Sequence, residues 1–120
     1  MTRYLLFITI FISSLISQNI ETFVVSKNID IDQSFNFTIK IKDIDVDPEV
    51  DISPMLDNFL IIMGPNIGSE YKFINGKKST SRSISWTVIS KKIGEVKIPK
   101  LKVILAGKPY FTDELIMNVS

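Results

Sequence analysis

Residues 35–42 carry the strictest pattern in the chain. Phe35, Phe37, Ile39 and Ile41 alternate with Asn36, Thr38, Lys40 and Lys42. Successive strand side chains point to opposite faces, so this run has one buried and one wet face. A second run repeats it: Ile84, Trp86 and Val88 share one face, Ser83, Ser85 and Thr87 the other. Asn75-Gly76 separates Ser69–Ile74 from Lys78–Ser90. Asn-Gly between two such runs is a strong hairpin signal, because both central residues of a type I′ turn need positive φ.

The remaining segments read the same way. Phe23–Ser26 is a short β-rich run, Phe59–Met63 an apolar strand stopped by Gly64-Pro65, and Asp43–Pro54 a long acidic connection. Lys91–Glu95 is a turn, followed by Val96–Ile98, stopped by Pro99, and then Leu101–Leu105. Gly107-Lys108 turns the chain toward Tyr110–Thr112, and Leu115–Val119 is the last strand. No segment after Ser17 shows a 3.6-residue period. Seven to nine short strands with a turn every eight to twelve residues predict an all-β, immunoglobulin-like antiparallel β-sandwich over residues 21–120. A small barrel is the second choice. Trp86, Phe35, Phe37, Phe59, Ile61 and Ile84 are the central core candidates. Trp86 as a ligand platform is the rival reading, but a lone aromatic on an apolar strand face belongs to the interior.

A signal segment precedes this domain. Arg3 is followed by the apolar run Leu5–Ile12 and by Ser13–Ser17, with no further charge before Glu21. A basic start, a short apolar stretch and small residues make residues 1–17 a secretory signal peptide. Cleavage after Ser17 fits its small size, although Leu15 is a poor match two positions before. A retained N-terminal anchor is the alternative, since Tyr4–Ile20 reaches the lower limit for a span. The expected location is therefore exported, in the periplasm or associated with the cell envelope.

The composition removes several chemistries. The 120 residues include no Cys and no His, with 14 basic and 13 acidic side chains. Disulfide scaffolds, Cys/His zinc sites and Ser–His or Cys–His nucleophile systems are excluded. An exported domain without cysteine is held by packing alone. Apolar residues at 45% and charged residues at 22% fit one globular domain. Ser79, Ser81, Ser83 and Ser85 have no adjacent base to activate a nucleophile and read as one exposed strand face. No cofactor and no catalytic residue is expected. Asn36-Phe-Thr38 and Asn118-Val-Ser120 are formal glycosylation sequons.

Charge is unevenly placed. Asp43 to Glu70 contains seven acidic residues and no basic one, while Lys72 to Lys108 contains ten basic residues and only Glu95. Asp43, Asp45, Asp47, Glu49 and Asp51 resemble the start of a calcium loop, but Pro48 and Pro54 stand where such a loop needs Gly and Glu. A solvated acidic loop is the competing reading. Lys72, Lys77, Lys78, Arg82, Lys91 and Lys92 are candidates for a basic docking surface. Their competing reading is a lysine-rich sheet surface that discourages edge-to-edge aggregation. Nucleic acid is not an expected partner, because no aromatics interleave the basic residues.

The motifs in order resemble the N-terminal domain of the BatD family of bacterial aerotolerance, or oxygen-tolerance, proteins. They are Val25 with the Phe35/Phe37/Ile39 strand, Pro54–Phe59, Gly64-Pro65, and Asn75-Gly-Lys77 with the serine-rich strand up to Trp86. Lys92-Ile-Gly94 with Ile98-Pro99, and Gly107-Lys-Pro-Tyr110 with Thr112, complete the set. Trp86 stands where Tyr is expected, and Ala106 where Asp is frequent. The resemblance spans residues 21 to 120. It implies a non-enzymatic, envelope-associated protein-interaction module in a stress or oxygen-tolerance system. The implied partners are envelope proteins, among them von Willebrand A-domain membrane proteins, beside a MoxR-type ATPase. Family members are longer, with several β domains and a C-terminal transmembrane helix, so this chain looks like a fragment or a minimal relative. Membrane association would then run through a retained N-terminal segment or a missing C-terminal anchor. The alternative function is a carbohydrate- or calcium-binding β-sandwich module, using Tyr71, Phe73, Tyr110 or Phe111 as a sugar platform, or the acidic stretch as an ion site.

Overall fold

The computed structural model describes residues 19–120. The leader expected over 1–17 lies outside them. The described chain forms β1 (Ile20–Phe23), β2 (Asn28–Ile29), β3 (Phe35–Lys42), β4 (Glu49–Asp51), β5 (Phe59–Ile74), β6 (Lys77–Ser90), β7 (Gly94–Ile98), β8 (Lys102–Leu105), β9 (Lys108–Phe111) and β10 (Leu115–Val119). One 3₁₀ helix, Ser53–Asp57, precedes β5. The strands form a four-stranded sheet of order β1-β3-β6-β5 and two three-stranded sheets, β2-β10-β7 and β4-β8-β9. All pairs are antiparallel except β2 with β10.

One apolar cluster joins the three sheets. Phe37, Ile39 and Ile41 of β3 and Ile84, Trp86 and Val88 of β6 meet Val96 and Ile98 of β7, Val103 of β8 and Met117 of β10. The alternating runs therefore place their side chains as the period requires. Phe37 and Trp86 are cross-strand partners whose rings stack with centroids 6.1 Å apart. Phe59 is fully buried and meets the half-buried Phe35 edge-on, with centroids 6.0 Å apart. Ile61 is partly buried against the same cluster. Trp86 is core, not a platform.

Three local expectations need correction, and one strand is not legible from sequence. The first strand is Ile20–Phe23, and Val25 beyond it faces solvent. Its register comes from pairing Thr22 with Ile39, information that lies in β3. The acidic connection is ordered around a buried Pro48 and holds both β4 and the 3₁₀ helix. The dipeptide Asn28-Ile29 forms a strand because β10 lies beside it, which no local pattern encodes.

Gly64-Pro65 does not stop the strand. β5 runs through it, with register shifts against β6 between Ile61 and Met63 and between Met63 and Asn66. Gly64 has φ +117° and packs against β6 so closely that a Cβ would sit 2.8 Å from Ser85 O and 2.9 Å from Trp86 Cδ1. A bulge absorbs the extra residues and keeps the ladder going. The result is a hairpin of 16 and 14 residues in place of a short strand and a separate hairpin. Asn75 (φ 52°) and Gly76 (φ 75°) close it with the left-handed backbone that the dipeptide predicts.

Candidate interaction arm

The hairpin outruns its support. β3 pairs with β6 from Phe35 opposite Val88 to Lys42 opposite Ser81. Beyond Ser81 the β6 backbone continues to Lys77, with β5 as its one strand partner among the described residues. A fourteen-residue strand at ~3.3 Å per residue is roughly 45 Å long, which accounts for the 54 Å long axis of the molecule. The distal part is a two-stranded arm.

On β5 the core-facing side keeps two aromatics after the core has ended, opposite Thr80 and Lys78 of β6. Ile67 lies opposite the buried Ile84, and Tyr71 and Phe73 continue on the same face. They are 52%, 52% and 74% exposed. Lys78 Nζ lies 4.7 Å from the centroid of the Tyr71 ring, a cation–π contact that leaves the ring edge open. Ile74, 63% exposed, lies on the opposite face at the tip. A half-buried sheet face normally loses its apolar residues where it meets water, and here Tyr71 and Phe73 remain exposed.

The acidic segment braces the arm. After β3, Ile44 N donates to Thr80 O at 3.3 Å and Ser79 Oγ donates to Asp43 Oδ1 at 3.4 Å. Arg82 Nη2 donates to Asp45 Oδ1 at 3.0 Å, and its Nη1 donates to Ser69 Oγ across the hairpin. Arg82 Nε is buried without a hydrogen bond, and meets Asp47 Oδ1 at 3.5 Å as an ion pair only. Glu49 and Asp51 leave the loop to form β4 opposite Ile104 and Lys102. Asp51 accepts from the hydroxyl and the backbone N–H of Ser53, which hold its carboxyl below the usual range. The five carboxylates are thus spread over three places. Among the described residues no group of three or more acidic side chains is arranged to hold a metal ion.

The six basic candidates also occupy separate places. Lys72, Lys77 and Lys78 are exposed near the tip. Arg82 is turned inward under Asp45 and Asp47. Lys91 and Lys92 lie at the far end of β6, where Lys91 Nζ donates to Leu56 O at 2.7 Å and Lys92 Nζ to Asn58 Oδ1 at 2.6 Å. Of the four aromatics considered for sugar binding, Tyr71 and Phe73 share the arm, while Tyr110 and Phe111 lie on β9 in another sheet. Tyr71 and Phe73, named from sequence as candidates for a platform, are exposed here, while Ile67 was not singled out. Ser69 stands between Ile67 and Tyr71 on this face, and Ile67 is still level with Ile84 and Ile39; only the length of β3 shows that the core ends before Tyr71 and Phe73.

On the opposite face Glu70 sits between two lysines. Lys72 Nζ is 3.2 Å from Glu70 Oε1 and Lys40 Nζ 3.3 Å from Oε2. Lys72 first, and Lys40 after it, hold the Glu70 carboxyl below its ordinary range. Gly68 leaves a shallow depression of ≈ 340 Å³ beside them, lined in part by Ser81 and Ser83. No helix of the described residues is long and apolar enough to cross a membrane.

No curated protein and no solved structure matches this chain. The family described as the BatD DUF11-like domain matches residues 22–119, nearly the whole described region. The arm, the braced acidic segment and the sandwich behind them all fall within that span, and the chain belongs to the BatD family.

Proposed function

We propose that this domain is a non-enzymatic protein-interaction module of a BatD-type oxygen- or stress-tolerance protein, exported to the periplasm or cell envelope, and that the β5–β6 arm is its docking element. The observation that carries the reading is the exposed apolar row Ile67, Tyr71 and Phe73 on a projecting hairpin. Lys78 borders that row on its own face, and Lys72 and Lys77 lie on the reverse face of the same tip, so the tip as a whole is basic and favours a partner with an acidic rim. Tyr and Phe anchors with a charged border match the anatomy of a protein interface. The chain offers no His or Cys for acid–base or nucleophilic work.

The implied partner is a von Willebrand A-domain membrane protein of the same system. Direct binding of the purified chain to that A-domain, measured by biolayer interferometry, tests the reading. Tyr71→Ser with Phe73→Ser removes two central anchors and should weaken binding about a hundredfold, as loss of hot-spot residues does. Binding that survives this change, or no binding to the A-domain, overturns the assignment.

A further inference from the structure

We propose that the distal half of β5 is a self-pairing edge, on which a second copy of this chain docks antiparallel about a two-fold axis at Tyr71. The inference stands apart from the hetero-partner reading, because it concerns the backbone edge of the arm and not its apolar face.

β5 is the outermost strand of its sheet, so one of its edges carries no partner strand among the described residues. Exposed edges of this kind recruit further strands unless they are blunted by proline, bulges or like charges. The proximal half is blunted by Pro65 and two register shifts. Asn66 to Ile74 has neither, and its register against β6 is unbroken.

The hairpin fixes which backbone groups face outward. Ile74 and Lys77 flank a two-residue turn and form a hydrogen-bonded pair. Antiparallel pairs alternate between hydrogen-bonded and non-bonded. Phe73, Tyr71, Ser69 and Ile67 therefore turn their N–H and C=O groups away from β6, toward the free edge. A two-fold axis at Tyr71 lets the two copies of that residue exchange both hydrogen bonds. Phe73 then faces the second copy's Ser69, and the reverse.

Charge selects this register. With Tyr71 opposite itself, Glu70 of each copy lies directly opposite Lys72 of the other, on one face and in the closer, non-bonded type of pair. Centring the axis on residue 70 would oppose two glutamates, and on residue 72 two lysines. Centring it on Ser69 or Phe73 leaves both charges without a complement. A single strand thus carries a complementary pair spaced two residues apart around an outward-facing tyrosine. The product is one continuous eight-stranded sheet across two copies.

The chain has no cysteine, so a single introduced thiol reads the register directly. In Tyr71→Cys the two Cα atoms would lie about 5.5 Å apart, inside the about 4.4–6.8 Å span that a disulfide bridges. Mild oxidation should link this variant quantitatively, while Leu60→Cys, exposed on the bulged half of the same strand, stays monomeric. Sedimentation of the unmodified chain should show a concentration-dependent dimer. Glu70→Lys should weaken it roughly tenfold, and Glu70→Lys with Lys72→Glu should restore it, as expected for two cross-strand charge pairs. Phe73→Pro removes only an outward N–H, so it should melt like the parent and sediment as a monomer. A monomeric parent chain, equal linking of both cysteine variants, or a charge swap that fails to restore the dimer overturns the proposal. Tyr71→Cys and Phe73→Pro also alter the apolar row, so the two readings are separated by Glu70→Lys and the charge swap, which change the opposite face: these should move the dimer and leave A-domain binding in place.

Discussion

Arg82 and Asp45 meet at 3.0 Å across 37 residues of sequence, with the guanidinium inside and the carboxylate outside. The Arg82 side chain is 15% exposed and that of Asp45 78%. Arg82 points from β6 toward the side where the core has just ended, and the acidic segment closes over it. The arm is thus joined to the body through charge where apolar contact runs out.

Removing the carboxylate should cost little and removing the guanidinium should change dynamics. Asp45 is solvated, so Asp45→Asn is expected to cost under about 1 kcal/mol in a urea melt. Arg82→Met releases both Asp45 and Asp47. Hydrogen exchange at residues 43–47 should accelerate well beyond that of β3, and equal protection would contradict the bracing role.

Trp86 is the sole tryptophan and sits stacked on Phe37 in the core. Trp86→Ala should cost roughly 3–5 kcal/mol by cavity formation. In the unmodified chain the emission should be blue-shifted and move to the red in one step on unfolding. A red emission in the folded state would contradict the burial of this ring.

Two glycines of β5 should respond differently. Gly64→Ala brings a methyl onto Ser85 O and Trp86 Cδ1 at a φ of +117°, so it should cost roughly 1–3 kcal/mol for the backbone alone. At Gly68 the new methyl meets only Ser83 Oγ at 2.9 Å, and a hydroxyl can rotate away. Melts in which Gly68→Ala loses more than Gly64→Ala would refute the close-packing account.

Thr112 is buried between β9 and β10, and its Oγ1 accepts from Leu101 N at 2.9 Å. Leu101 O in turn accepts from Thr112 N at 2.9 Å. Thr112→Val keeps the shape and leaves the Leu101 N–H without its acceptor, at a cost of about 1–3 kcal/mol in chemical denaturation. Thr112→Ser should retain more of the stability.

The arm should loosen in acid. Lys72 and Lys40 depress Glu70 in the folded chain. A depressed carboxyl binds its proton more weakly in the folded than in the unfolded state. Its contribution is present above the ordinary glutamate value of about 4.3 and is lost as pH falls through the lower folded value. Asp51 behaves alike through Ser53. Lys42 is raised by the hydrogen bond and charge of Glu21, so that tie between β1 and β3 holds below the ordinary lysine range and is lost above it. Carboxyl NMR titration checks each sign, and a Glu70 midpoint above the ordinary range would reverse the first.

Local chemistry in the sequence determined the periodic elements. Alternation placed Phe37, Ile39, Ile84 and Trp86 on inner faces, and Asn75-Gly76 closed the hairpin, because side-chain period and left-handed φ are properties of a few adjacent residues. The ends of β3, β6, β7, β8 and β10 were legible as well, but tertiary structure alone decided which segments pair and where the core ends. β2 exists by pairing with β10, β5 crosses Gly64-Pro65 because Trp86 and Ser85 leave room only for glycine, and the acidic residues disperse because Arg82 draws two of them in. Tyr71 and Phe73 have the spacing of core residues, yet they face water because β3 and the rest of the core end short of them. Burial is a relation between distant segments, and no window of the sequence contains both sides of it.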